Sequence, residues 1–162
     1  MKKHLLLVAI LFASCVEQKQ EPKTAGYSIR GEEESYMIGS DETTDFIRKW
    51  ADAHNERDME TILSMEKADI KIELPDGTVI NGQDEHSKVL ESFFANNVTW
   101  KPYWMLPYNS VVAKEKWVIA GFALTSNVDG EENVVLHMGD IQLEDGLVSR
   151  IIVYENQRPK KK

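Results

Sequence analysis

The sequence predicts one α+β domain, with helices first and a long curved antiparallel sheet second, so that the helices lie on one concave face. Three observations carry this. Apolar residues recur at helical spacing in Phe46, Ile47, Trp50 and His54. The period then drops to two at Ile70-Lys71-Ile72-Glu73-Leu74. Finally, Asp129-Gly130 and Asp145-Gly146 separate three long strand-like runs near the C-terminus.

The first helix is expected from about Asp41 to Asn55, capped by Asp41, Thr43 or Thr44. A shorter one starts near Asp58 with Met59, Ile62 and Leu63 inward. The strand ending at Leu74 turns at Pro75-Asp76-Gly77 and returns as Thr78-Val79-Ile80. A third helix follows Gly82, from about Asp84 to Asn96, burying Val89, Leu90, Phe93 and Phe94. The remaining runs, Val98 to Trp104, Tyr108 to Ala113, Lys116 to Asn127, Asn133 to Leu143 and Leu147 to Glu155, read as a meander.

Ahead of the domain, Lys2, Lys3 and His4 precede the nine-residue apolar run Leu5 to Ala13. A membrane-spanning helix needs roughly 20 apolar residues, so the run suits the core of a signal peptide, residues 1–14. Phe12-Ala13-Ser14-Cys15 resembles the bacterial lipobox, with Phe12 in place of the usual Leu. That resemblance implies lipid attachment at Cys15 and a bacterial envelope location, on the outer membrane facing the periplasm or the surface. Cys15 is the sole cysteine, which excludes an internal disulfide. Residues 15–40 read as the anchor and an acidic linker whose second half, with Tyr27, Ile29, Tyr36, Met37 and Ile38, is apolar enough to lie against the domain. The folded part is expected over 41–157, with a basic tail at 158–162.

Without residues 1–14 the chain carries 17 basic and 27 acidic residues, a formal charge of −10. Such a surface repels phosphate backbones and argues against a nucleic-acid partner. There is no glycine-rich phosphate loop and no Gly-x-Ser-x-Gly elbow. No histidines and carboxylates stand at metal-ligand spacing, so neither a metal nor another cofactor is expected.

The order of elements resembles the nuclear transport factor 2-like (NTF2-like) superfamily, specifically its SnoaL-like branch. The resemblance rests on Asn55-Glu56-Arg57-Asp58, similar to the family's Asn-x-x-Asp break between helices one and two. Pro75-Asp76-Gly77, Gly82 and the hairpin Leu143-Glu144-Asp145-Gly146-Leu147 add to it. It implies a cone of sheet around three N-terminal helices, with a pocket at the wide end. The superfamily includes ketosteroid isomerase, cyclases, hydrolases and non-catalytic binders, so the site must decide function.

Counted from these motifs, the isomerase positions for an oxyanion-hole tyrosine, a base and a second aspartate fall on Trp50, Leu74 and Gly139. Leucine and glycine side chains offer neither base nor donor. Isomerase chemistry of that type is therefore rejected. The expected pocket residues are Trp50, His54, Leu74, Phe93, Trp104, His137 and Tyr154. His137 shares a strand face with Val135, Gly139, Ile141 and Leu143, while Asp140 lies on the opposite face. His54 either reaches the cavity or offsets the helix C-terminus, and His86 sits in the polar first turn of the third helix. The aromatic cluster Trp100, Tyr103, Trp104 and Tyr108 suits core and dimer packing, or a pocket rim. The leading expectation is a tethered homodimer that binds a small apolar ligand without catalysis. The alternatives are a SnoaL-like isomerase, cyclase or hydrolase using His137, and a structural or partner-binding dimer.

Overall fold

A computed structural model describes residues 23–28, 34–128 and 130–155. The segment expected as a signal peptide, Cys15, Ile29 and the basic tail lie outside the described residues. Eight strands and three helices follow in the order β1 (Ala25–Ser28), β2 (Glu34–Ile38), α1 (Asp41–Glu56), α2 (Met59–Ser64), β3 (Glu66–Glu73), β4 (Val79–Asn81), α3 (Gln83–Ala95), β5 (Thr99–Ser110), β6 (Lys116–Val128), β7 (Glu131–Glu144) and β8 (Leu147–Glu155). All strands belong to one sheet of order β1-β2-β5-β6-β7-β8-β3-β4. Every pairing is antiparallel except β3 with β8. The expected α+β class and the curved sheet around three helices are what the chain adopts.

Alternation along the strands sorts the sheet into rows. Pro107, Val118, Ile141, Ile151, Ile72 and Ile80 are successive register partners from β5 across to β4. All but Pro107 belong to the buried core, together with Ile47 and Trp50 of α1, Ile62 of α2 and Leu90 of α3. The row above it is Met105, Ala120, Gly139 and Val153. Its small central members make room: a Cβ on Gly139 would stand 3.2 Å from the Phe122 ring. That room is taken by the Phe122 ring, and the base of the cone is filled by the core side chains.

The helix breaks are built by the motif noticed in the sequence. Arg57 takes a left-handed conformation at the C-cap of α1, φ 62°. Asp58 then caps α2, accepting from the Thr61 backbone N–H at 3.0 Å and its hydroxyl at 2.6 Å. Asn55 clamps α1 to β5, donating to the Trp100 carbonyl at 2.9 Å and accepting from the Trp100 N–H at 2.8 Å. Its amide thus serves the edge of β5 as a neighbouring strand would.

Two expectations need correction. Part of the stretch read as a linker is sheet, because β2 pairs with β5 through Tyr36–Ser110, Met37–Asn109 and Ile38–Tyr108. The Glu34 carboxylate secures it by accepting backbone N–H groups of Val111, Val112 and Ala113, each at 2.8 Å. The stretch was expected only to lie against the domain through Tyr36, Met37 and Ile38, because five residues without strict alternation are too short a pattern to be read as a strand. Secondly, Val98 to Trp104 and Tyr108 to Ala113 were expected as two strands, yet β5 is continuous with a register shift between Pro102 and Trp104. Tyr103 is the extra residue of that bulge.

Candidate functional site

The open end of the cone encloses a cavity of about 310 Å³ lined mainly by apolar side chains. Among them are Trp50 of α1, Leu74 beyond β3, Phe93 of α3, Trp100 of β5 and Phe122 of β6. Aromatic rings form one wall. Trp100 stacks on Phe122 at 4.2 Å between centroids, and Trp50 meets Trp100 edge-on at 5.1 Å.

Five of the seven expected pocket residues line this cavity: Trp50, His54, Leu74, Phe93 and His137. Trp104 and Tyr154 do not. Trp104 shares an even spacing with Trp100, but the bulge at Tyr103 reverses the alternation and sends its indole to the convex face. There it lies over Gly121, where a Cβ would collide with the indole nitrogen. Tyr154 falls between Val153 and Glu155, which face the cavity, so it points outward. Trp104, Gly121, Met138 and Tyr154 are register partners across β5 to β8. They form an exposed apolar row outside the cone.

Besides Asn55, Arg57 and Asp76, the polar groups at the cavity sit in two places. At the mouth, His137 Nε2 stands 3.5 Å from Glu155 Oε2, its register partner on β8. Deep inside is a cluster that sequence spacing missed. Glu66, at the start of β3, has a side chain with no solvent exposure. One of its oxygens accepts the Trp50 indole N–H at 2.8 Å, and the other faces His86 Nδ1 at 2.9 Å. His54 Nδ1 lies 2.7 Å from the Trp50 carbonyl, one turn earlier on α1. One ring nitrogen of His54, one of His86 and a carboxylate oxygen of Glu66 all lie within 4.8 Å of one another.

His54 was expected at the cavity, whereas Glu66 and His86 were hidden for physical reasons. Glu66 stands in Met65-Glu66-Lys67-Ala68-Asp69, a polar connection by composition. His86 occupies a first turn that looks solvated, with Asp84 and Glu85 beside it, yet it is buried. Only the closure of α1, β3 and α3 brings the three together. The Tyr108 hydroxyl, on the convex face, donates to Asp140 at 2.7 Å, and burial raises the carboxyl of Asp140 above its ordinary range. Asp140 thus lies outside the cone, as its strand parity required.

Burial pushes His54 from its ordinary 6.5 down to about 4, against the Trp50 carbonyl bond that favours the protonated ring. Above pH 6.5 the ring is neutral in folded and unfolded chains alike. Between pH 6.5 and 4 the unfolded chain takes up a proton that the folded one refuses, so stability falls with falling pH, and below 4 the loss is complete. The full loss is about 3 kcal/mol. Urea unfolding of the chelator-treated protein at pH 7 and pH 4.5 should show a larger loss for the wild type than for His54→Gln. Equal losses would refute this account.

No family model and no curated protein matches the sequence. Solved structures match the fold. A provisional ketosteroid isomerase from Kribbella flavida aligns with TM-score 0.61 at 18% identity over 77% of this chain and 85% of its own. The epoxide hydrolase/cyclase-like enzyme SalBIII, of pyran ring formation in the polyether salinomycin, aligns with TM-score 0.59 at 18% identity over 71% and 91%. An NTF2-like protein of unknown function from Cytophaga hutchinsonii gives 0.55 at 15% identity over 70% and 89%. The chain thus has the NTF2-like fold, a cone made from a curved mixed sheet and three helices.

Proposed function

We propose that this protein is a lipid-anchored binding domain of the bacterial envelope that holds a small, largely apolar ligand in its cone and does not transform it. The observation that carries this is the cavity itself: its volume lies at the lower end of the range for small-molecule sites, and its wall is mostly apolar. The positions corresponding to isomerase machinery support the absence of turnover. The Trp50 N–H is committed to Glu66, and Leu74 and Gly139 bring no acid or base. The acidic balance of the chain disfavours nucleic acid as an occupant.

A panel of steroids, aromatic polyketides and fatty acids, titrated into the detergent-solubilised full-length protein, should include a saturating ligand that quenches tryptophan fluorescence. Val153→Phe, which fills the cavity, should abolish the quenching, and the ligand should be recovered unchanged. Absence of saturation below about 1 mM, or unchanged binding by the filled variant, would sink the binding reading. Conversion of a compound that stops in His137→Ala would favour a cyclase, isomerase or hydrolase acting through His137, a reading supported by the nearby Glu155 carboxylate at the mouth.

Attachment through Cys15 to the outer membrane, facing the periplasm or the surface, follows from the lipobox resemblance. No helix among the described residues is long and apolar enough to cross a membrane. Ala25 of β1 follows Cys15 by ten residues, which would keep the domain close to its anchor. Cys15→Ser should shift the protein from the membrane fraction to the soluble one. Retention in membranes would refute the anchor.

The exposed row of Trp104, Met138 and Tyr154 suits pairing of two copies across their convex faces. Light scattering should give a dimer mass for the wild type and a monomer mass for Met138→Glu. A monomeric wild type would exclude the dimer.

A further inference from the structure

The floor of the cavity carries more ionisable chemistry than an apolar ligand requires. Glu66 is fully enclosed, and two imidazoles stand beside it with their donor atoms and its carboxylate mutually within 4.8 Å. We propose that His54, His86 and Glu66 form a binding site for one divalent transition-metal ion of the zinc or iron(II) class at the closed end of the cone.

The donor set selects the ion. Two imidazoles and one carboxylate suit zinc, iron and their neighbours, whereas calcium and magnesium prefer all-oxygen surroundings. Bonds of about 2.0–2.2 Å to a tetrahedral ion set donors roughly 3.3 Å apart. The His86–Glu66 separation of 2.9 Å must therefore open by a few tenths of an ångström, and His54 must close in from within 4.8 Å. Side-chain rotation supplies both movements. The ion takes the place of the proton between His86 Nδ1 and Glu66 Oε2, and that proton leaves to solvent.

The surroundings already have the form of a ligand-orienting shell. The Trp50 indole N–H holds the second oxygen of Glu66, and the Trp50 carbonyl accepts from His54 Nδ1, leaving Nε2 of that ring as its donor to the ion. A metal-binding histidine commonly donates its other ring N–H to such a carbonyl. Three protein ligands leave a fourth position open. Because His54 and His86 both line the cavity, that position faces the bound molecule. It would take an oxygen donor, so the matching ligand is apolar with one carboxylate, enol or hydroxyl head.

The test uses metal alone, so it is independent of any organic ligand and of the binding reading above. Full-length protein in detergent, stripped with a chelator, is titrated with Co²⁺ and then Zn²⁺. One equivalent of Co²⁺ should bind with a dissociation constant at or below about 1 µM, produce the visible absorption of a low-coordinate site, and be displaced by Zn²⁺. His86→Gln and Glu66→Gln should each weaken binding at least tenfold, with Cys15→Ser unchanged. If the glutamine variants fail to fold, proton NMR of the Co²⁺ wild type decides: two paramagnetically shifted imidazole N–H signals support the site, and one or none overturns it. The proposal is likewise overturned by no saturable binding below about 100 µM, by unaltered affinity in folded glutamine variants, or by binding that vanishes with Cys15→Ser.

Discussion

The buried carboxylate of Glu66 is the constraint around which the interior is arranged. An enclosed charge costs several kcal/mol unless donors surround it, and only a few groups can be brought to it. Here they come from two helices: the Trp50 indole from α1 and the His86 ring from α3, with Glu66 itself on β3. Gln83 adds a second tie from α3, donating to the Glu66 carbonyl at 3.0 Å and the Leu63 carbonyl at 2.6 Å. The helices are thereby fixed against the sheet by directional bonds as well as by apolar packing. Among the described residues no buried side-chain polar atom lacks a partner, so the arrangement carries no unmet polar cost.

That fixing helps keep the cavity open. A purely apolar cone filled by flexible side chains would gain by collapsing onto itself. Trp50 cannot swing toward the mouth without abandoning Glu66, and Trp100 is held by Asn55 through its backbone. The aromatic wall stands on these two anchors. Gly139, which lines the cavity without a side chain, lets the Phe122 ring of that wall pack against its strand.

Much of this was legible in the residues. Helical spacing placed Trp50 and His54 on the inner face of α1, and strict alternation placed His137 and Gly139 inside and Asp140 outside. Alternation fails where a bulge intervenes, which is why Trp104 was expected in the pocket it does not reach. Tyr154 was misplaced against the parity of its own strand. Glu66 and His86 lay beyond sequence reasoning, because the two are 20 residues apart on different elements and each sits among charged neighbours. Periodicity reports which face a residue takes; it does not report which other element will arrive there. Strand β2 was obscured for a related reason, since its docking is secured by one glutamate accepting backbone hydrogens from a turn more than 70 residues later.

The one parallel pairing in the sheet bears on when this protein can fold. β3 and β4 border the rest of the sheet only through β8, the last strand described. Until residues 147–155 are available, the hairpin that carries Glu66 has no neighbour to complete its ladder, and the cone stays unsealed along that seam. A chain emerging from its N-terminus would therefore leave this seam open until β8 has followed, with its longest-range pairing formed late. Under the export proposed above, a closure withheld to the final described strand would keep the chain open while it crossed the membrane.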